Sequence, residues 1–118
     1  MTKLPFLTAE NLSIGYREKT GFDVLSTNIN FDLNPGELVC LIGPNGAGKS
    51  TLIRTIAGLQ PALEGSITLM EHELSLYTPH QIAQMVSLVL TNPVRVMNMT
   101  VFDLVSLGRH PFTNWLGQ

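Results

Sequence analysis

Two stretches near the start of the chain alternate between apolar and polar positions. Leu12, Ile14 and Tyr16 form one set and Ile29, Phe31 and Leu33 the other, so both predict half-buried strands. The polar segment between them, Glu18 to Phe22 with Gly21, predicts a turn. Asn34-Pro35-Gly36-Glu37 then sets Pro and Gly at the central positions of a type II turn. Leu38-Val39-Cys40-Leu41-Ile42 is apolar on both faces, the pattern of a central strand covered on both sides. A glycine-rich segment, Gly43 to Gly48, follows at once. Leu52, Ile53, Ile56 and Leu59 then recur at helical spacing, with Gly58 placed to stop the helix.

Further along, Ile67 and Leu69 alternate with Thr68 and Met70 in a strand expected to pair with the early ones. Thr78, Pro79 and Gln81 spell the opening of a short helix with a capping box. Val86 to Leu90 predicts a second buried strand, and Asn92 to Asn98 a loop. Thr100 with Asp103 is another cap, opening a helix whose inner face is Val101, Leu104 and Val105. From Gly108-Arg109-His110-Pro111 through Phe112 to Gln118 the pattern predicts neither strand nor helix end.

Composition narrows the class. With 118 residues the chain is at most one domain, and its 44% hydrophobic content with ten glycines fits a packed α/β protein rather than a disordered one. Nine acidic against seven basic residues, a net charge of -2, exclude a basic nucleic-acid-binding face, so no nucleic acid partner is expected. The apolar runs are too short to span a bilayer, and the first residues lack the apolar core of a signal peptide. A soluble, cytosolic protein is the expectation. Cys40 stands alone, so neither an intrachain disulfide nor a zinc site can be built on it, and a core position suits it better than a nucleophile's.

The chemistry concentrates in Gly43-Pro44-Asn45-Gly46-Ala47-Gly48-Lys49-Ser50, which fits Gly, four residues, Gly, Lys, Ser/Thr. At ordinary glycine frequency such a match arises by chance in roughly one chain of this length in a few hundred. Glycines permit backbone conformations and approaches that a Cβ would block, so that the amides can nest around a β-phosphate. The helix that follows adds its unpaired amides and the positive end of its dipole. Lys49 supplies a point charge for the β- and γ-phosphates, and Ser50 a hard oxygen ligand for Mg²⁺. Thr51 is placed to hydrogen-bond near the α-phosphate. These features predict a nucleoside triphosphate site.

Gly43 to Leu52 (Gly-Pro-Asn-Gly-Ala-Gly-Lys-Ser-Thr-Leu) resembles the Walker A segment of ABC transporter ATPases. Leu12-Ser13-Ile14-Gly15-Tyr16, Asn34 to Glu37, Ala57-Gly58-Leu59 and Glu64 to Ile67 are similar to the family's segments around it. Thr100 to Val105 and Leu107 to Pro111 resemble the ATPases of iron-siderophore, haem and cobalamin importers. The resemblance implies a P-loop α/β fold: a partly antiparallel nucleotide-binding sheet, the start of the parallel core sheet, and the opening of a helical subdomain. It implies ATP and Mg²⁺ as ligands, with Tyr16 stacking on adenine and Asn45, Gly46, Ala47, Gly48, Lys49, Ser50 and Thr51 holding phosphates, Ser50 also on the metal. It implies transmembrane permease subunits and a second ATP-binding subunit as partners, at the cytoplasmic face of the membrane. Thr91 to Trp115, with Val94, Val96, Met97, Met99 and Phe112, would meet the permease.

Two departures follow from the same resemblance. Thr91, with Asn92 next, stands where the family has a glutamine that contacts Mg²⁺ and the attacking water. No Leu-Ser-Gly-Gly-Gln signature, Walker B Asp-Glu or switch histidine occurs in these 118 residues. The chain is therefore expected to be the N-terminal part of one ATPase domain, about 1–90 its nucleotide-binding core and 91–118 the start of the helical part. Its catalytic residues stay unassigned. A nucleotide-binding fragment without catalysis and an ABC-type ATPase working outside transport remain the alternatives; a GTPase does not, for want of Asn-Lys-x-Asp. Glu71-His72-Glu73 is expected to be a solvated strand end, because neighbours on a strand point to opposite faces. His80 is expected at the surface, in the first turn of a short helix, and His110 in a loop.

Overall fold

The computed structural model describes residues 3–91, 95 and 97–114. Two compact units make up the chain, Met1–Tyr77 and Thr78–Gln118. Asn92, Val94, Val96 and Trp115 lie outside the described residues.

In the first unit, strands β1 (Leu7–Glu18), β2 (Gly21–Leu33), β3 (Glu64–Leu69) and β4 (His72–Glu73) form an antiparallel sheet in the order β2-β1-β3-β4. The β1–β2 ladder runs from Leu7 opposite Leu33 to Glu18 opposite Gly21, closing at the expected turn. On the other edge of β1, Leu7 faces Leu69 and Ser13 faces Glu64. Both early strands are thus as the alternation predicts, and β3 pairs where expected. The buried side chains of β1 are Leu7, Ala9, Leu12 and Ile14, and the step from Ala9 to Leu12 breaks the period of two. A bulge explains the break: both ladders shift register there, and Asn11 takes a φ of 49°. The amide this leaves without a ladder partner donates to Asn30 Oδ1 at 2.8 Å. Gly65 is required beside it, since at its φ of 85° a Cβ would stand 2.4 Å from the Asn11 carbonyl oxygen.

Helix α1 (Lys49–Ile56) buries Thr51, Leu52 and Thr55, whereas Ile53 and Leu59 of the predicted apolar face are exposed. Thr55 reaches the interior because its hydroxyl donates to the Thr51 carbonyl at 2.7 Å, which satisfies the buried group inside the helix. The helix ends at the predicted glycine. With Gly58 at φ 78°, Leu59 N–H donates to Arg54 O and Gly58 N–H to Thr55 O, a Schellman closure. The type II turn is also present, with Gly36 at φ 76° and Glu37 N–H donating to Asn34 O at 3.2 Å.

Leu38–Ile42 differs from expectation. It forms no strand, and Leu38 and Ile42 are 92% and 90% exposed, with Cys40 exposed as well. A central strand needs a ladder neighbour on each side and a layer on each face. The described residues supply neither for this run, so the core position expected for Cys40 is corrected too. The same holds for Val86–Leu90, which also forms no strand, with Val89 95% exposed.

The second unit holds α2 (Pro79–Met85) and α3 (Val101–Ser106), each opened by the predicted capping box, Thr78 with Gln81 and Thr100 with Asp103. Leu107–Phe112 is a 3₁₀ helix whose Pro111 carbonyl accepts from Gln84 Nε2 at 2.8 Å. None of its described residues is buried, so the predicted inner face of α3 at Val101, Leu104 and Val105 is exposed. Among the described residues no helix is long and apolar enough to cross a membrane.

Candidate functional site

The phosphate-loop residues and the end of β1 meet in a cleft of about 300 Å³ within the first unit, lined by Tyr16, Asn45, Gly46, Gly48, Lys49, Ser50 and Thr51. These positions are 35 residues apart at their extremes (51 − 16), and the sheet and α1 bring them together. Ala47 faces the other way, into a mostly apolar hollow with Ile14, Ile29, Leu41 and Leu52. One residue of the cleft has no counterpart in the sequence argument: Leu25 of β2. Only the three-dimensional register of β2 against β1 reveals it.

Local structure explains the placement. Gly46 and Gly48 have φ of 84° and 96°, values that side-chain-bearing residues rarely take. Gly48 is also the residue that caps α1, and no side chain hydrogen-bonds to the helix start there. Helix geometry leaves the first amides of α1 without intrahelical acceptors, and no acidic side chain lies in its first turn to compete with an anion. Lys49 Nζ donates to the carbonyls of Pro44, at 3.0 Å, and Gly43. Those contacts hold the ammonium across the loop, where a phosphate can take over the charge in stronger, charge-assisted bonds. No residue lining the cleft is acidic.

Tyr16 pairs with Asp23 near the end of β1, beyond the pairing with β3, and is 44% exposed; its hydroxyl and Thr51 Oγ1 are 3.1 Å apart. This bond ties the end of β1 to the first turn of α1 and fixes the tyrosine ring at the cleft edge. It also engages the Thr51 hydroxyl, which the sequence reading placed near the α-phosphate. The preceding residue has to be glycine: a Cβ on Gly15 would stand 2.0 Å from the Asp23 carbonyl oxygen. Gln60 Nε2 donates to Gly15 O at 2.7 Å, bracing the same corner.

The donor set fits a nucleotide with its cation. Among the described residues no group of three His, Cys, Asp or Glu side chains stands together to hold a metal ion. A divalent cation would therefore take the exposed Ser50 hydroxyl together with phosphate oxygens, the ligands Mg²⁺ prefers. The other candidates are not among the residues that line the cleft. Glu71, His72 and Glu73 are exposed, and His72 Nδ1 lies 3.0 Å from Met70 O with its ring edge-on to Tyr77. His80 is exposed, as expected; His110 is exposed too, but lies in the 3₁₀ helix Leu107–Phe112 rather than in a loop. Thr91 is exposed in the second unit.

Residues 26–116 match the family described as ABC transporter. An uncharacterized ABC transporter ATP-binding protein of Methanocaldococcus jannaschii is 44% identical over 95% of this chain and 37% of its own length. The ferric enterobactin transport ATP-binding protein of Escherichia coli is 33% identical over 92% of this chain and 40% of its own. Among solved structures, an ATP-binding subunit of an ABC transporter superposes with a TM-score of 0.75 and 29% identity, covering 91% of this chain and 42% of that one. The chain thus spans about two fifths of the length of the relatives it matches.

Proposed function

Because this chain belongs to the ABC transporter ATP-binding family, we propose that its cleft binds ATP with Mg²⁺ as part of the ATP-binding subunit of an importer for an iron-siderophore or similar metal chelate. The observation that carries the reading is the meeting of Tyr16, Lys49, Ser50 and the positive-φ glycines in one acid-free cleft. The amides from Gly46 to Thr51 and the Lys49 ammonium hold the phosphates, with Asn45 and Ala47 shaping the loop. Tyr16 offers its ring to the base. Mg²⁺ on Ser50 would neutralise the β- and γ-phosphate charge.

Turnover needs more than this. Phosphoryl transfer depends on placing the water and stabilising developing charge, and Thr91 at the glutamine position is too short for that task. Hydrolysis accordingly belongs to the intact protein and to its pairing with a second ATP-binding subunit, at the cytoplasmic face of a membrane holding the permease subunits. The chelate cargo rests on the Thr100–Val105 and Leu107–Pro111 resemblance together with the ferric enterobactin relative. A non-transport ATPase of the same family is the competing reading.

Lys49→Ala in the intact protein tests the site. Loss of a charge-assisted phosphate contact, about 1.5–3 kcal/mol, weakens ATP binding tenfold or more in calorimetry. Unchanged affinity removes the phosphate-loop assignment. The same substitution in the cell abolishes uptake of a ferric chelate; loss of free-cation uptake alone, or of no uptake, refutes the cargo.

A further inference from the structure

We propose that Leu25 is a specificity-determining contact of the cleft, the apolar wall on which the nucleoside end of a bound nucleotide rests. The inference rests on the nucleotide-binding reading above and adds a residue that the phosphate-loop pattern does not contain.

The backbone makes Leu25 unusual. Ile14 pairs with Ser26 and Gly15 with Val24, so one step along β1 spans two along β2, and Leu25 is the extra residue. Such a bulge re-aims a side chain out of the regular alternation, and here it faces the cleft beside Tyr16. Leu25 also lies against the cap of α1: a Cβ built on Gly48 would stand 3.5 Å from Leu25 Cβ. At 37% exposure it is half open to solvent, so its outer surface is free to meet a ligand.

The cleft has two kinds of lining. Lys49, Ser50 and the loop amides suit phosphate. Leu25 is the one wholly apolar side chain in the lining, and an anion gains nothing against it. Carbon surface does gain there, and a nucleotide offers it in the base ring and ribose. The Tyr16 hydroxyl is already bonded to Thr51, so tyrosine too presents ring carbon rather than a free hydrogen-bonding tip. Phosphate and nucleoside therefore sort to opposite kinds of lining.

Binding of ATP and of inorganic tripolyphosphate, measured side by side on the intact protein, separates this role from a structural one. Leu25→Ala and Leu25→Asn, the second keeping the size and losing the apolar surface, should each weaken ATP by about fivefold or more. Tripolyphosphate affinity should stay within about twofold, because the phosphate contacts are untouched. If either variant fails to fold, the other decides. Unchanged ATP affinity overturns the proposal, and so does a parallel loss for both ligands, which would mean that Leu25 acts by propping the Gly48 loop. Lys49→Ala is the separate control: it should weaken both ligands, and if it spares tripolyphosphate the nucleotide reading itself fails, whatever the Leu25 variants show.

Discussion

The buried face of β1 and the run Leu38–Ile42 carry the same kinds of residue in opposite surroundings. Leu12 is fully buried and Ile14 nearly so, while Leu38 and Ile42 are 92% and 90% exposed. What separates them is partnership. Strand β1 has β2 along one edge and β3 along the other, and α1, which buries Thr51, Leu52 and Thr55, packs against it. Leu38–Ile42 has no ladder neighbour among the described residues. An apolar pattern states how much surface a segment needs to bury; whether it is buried depends on other segments. The phosphate loop lies just beyond the unpartnered run, yet on its other side its αL glycine, Gly48, lies close to Ile14 and Leu25, which a Cβ there would meet at 3.4 and 3.5 Å.

The largest expected effect tests that contrast directly. Leu12→Ala removes a fully enclosed side chain and should destabilise the 118-residue chain by about 2–5 kcal/mol in urea unfolding. Leu38→Ala in the same chain should change stability by less than about 0.5 kcal/mol. Equal costs would break the comparison, since they would mean Leu38 is covered in solution. Repeating Leu38→Ala in the intact protein sharpens it: a cost that rises there identifies cover from outside these 118 residues.

What the sequence made legible follows the same division. The β1–β2 hairpin, the type II turn, the Gly58 stop and both capping boxes depend on residues within a few positions of one another, and all were readable. So was the phosphate loop, whose eight adjacent residues, Gly43 to Ser50, carry their chemistry in their order. The two apolar runs predict buried strands because periodicity reports appetite for burial, not the presence of a neighbour. Leu25 was invisible for a related reason. Its place in the cleft comes from a register shift between two strands, and neither strand's pattern announces it. The Asn11 bulge left a trace, the slip from Ala9 to Leu12, but only the ladder gives that slip a meaning.

A smaller effect belongs to the second unit, where no described residue is buried and local caps carry more of the burden. Asp103 is held below its ordinary pKa of 3.8, first by the Thr100 backbone N–H, which donates to its carboxylate at 3.0 Å, and then by the Thr100 hydroxyl. A depressed carboxylate stabilises the fold above its unfolded value, and that contribution is lost as pH falls through the folded one. The α3 cap should therefore be intact above about pH 4 and lost progressively below it. The Thr100 amide resonance reports the change. Asp103→Asn, which keeps an acceptor without the titration, should flatten the profile; a profile that survives the substitution assigns the transition to another group.

The smallest expected effect on the chain itself comes from Met97→Glu, and there the comparison meets function. Met97 is 92% exposed in a turn with Asn98, and Met99, Phe102 and Phe112 are also exposed in this unit. Apolar and aromatic side chains with few charges among them are the composition of an interface core. If this surface takes the permease, a charge at Met97 should leave the unfolding midpoint and ATP affinity of the intact protein nearly unchanged, because none of the described residues of the unit closes over it. Co-purification with the permease should be lost, since the carboxylate would have to be desolvated without a partner. Unfolding of the intact protein by the same substitution would place Met97 in a core instead. Stability and docking both preserved would move the permease contact away from this turn.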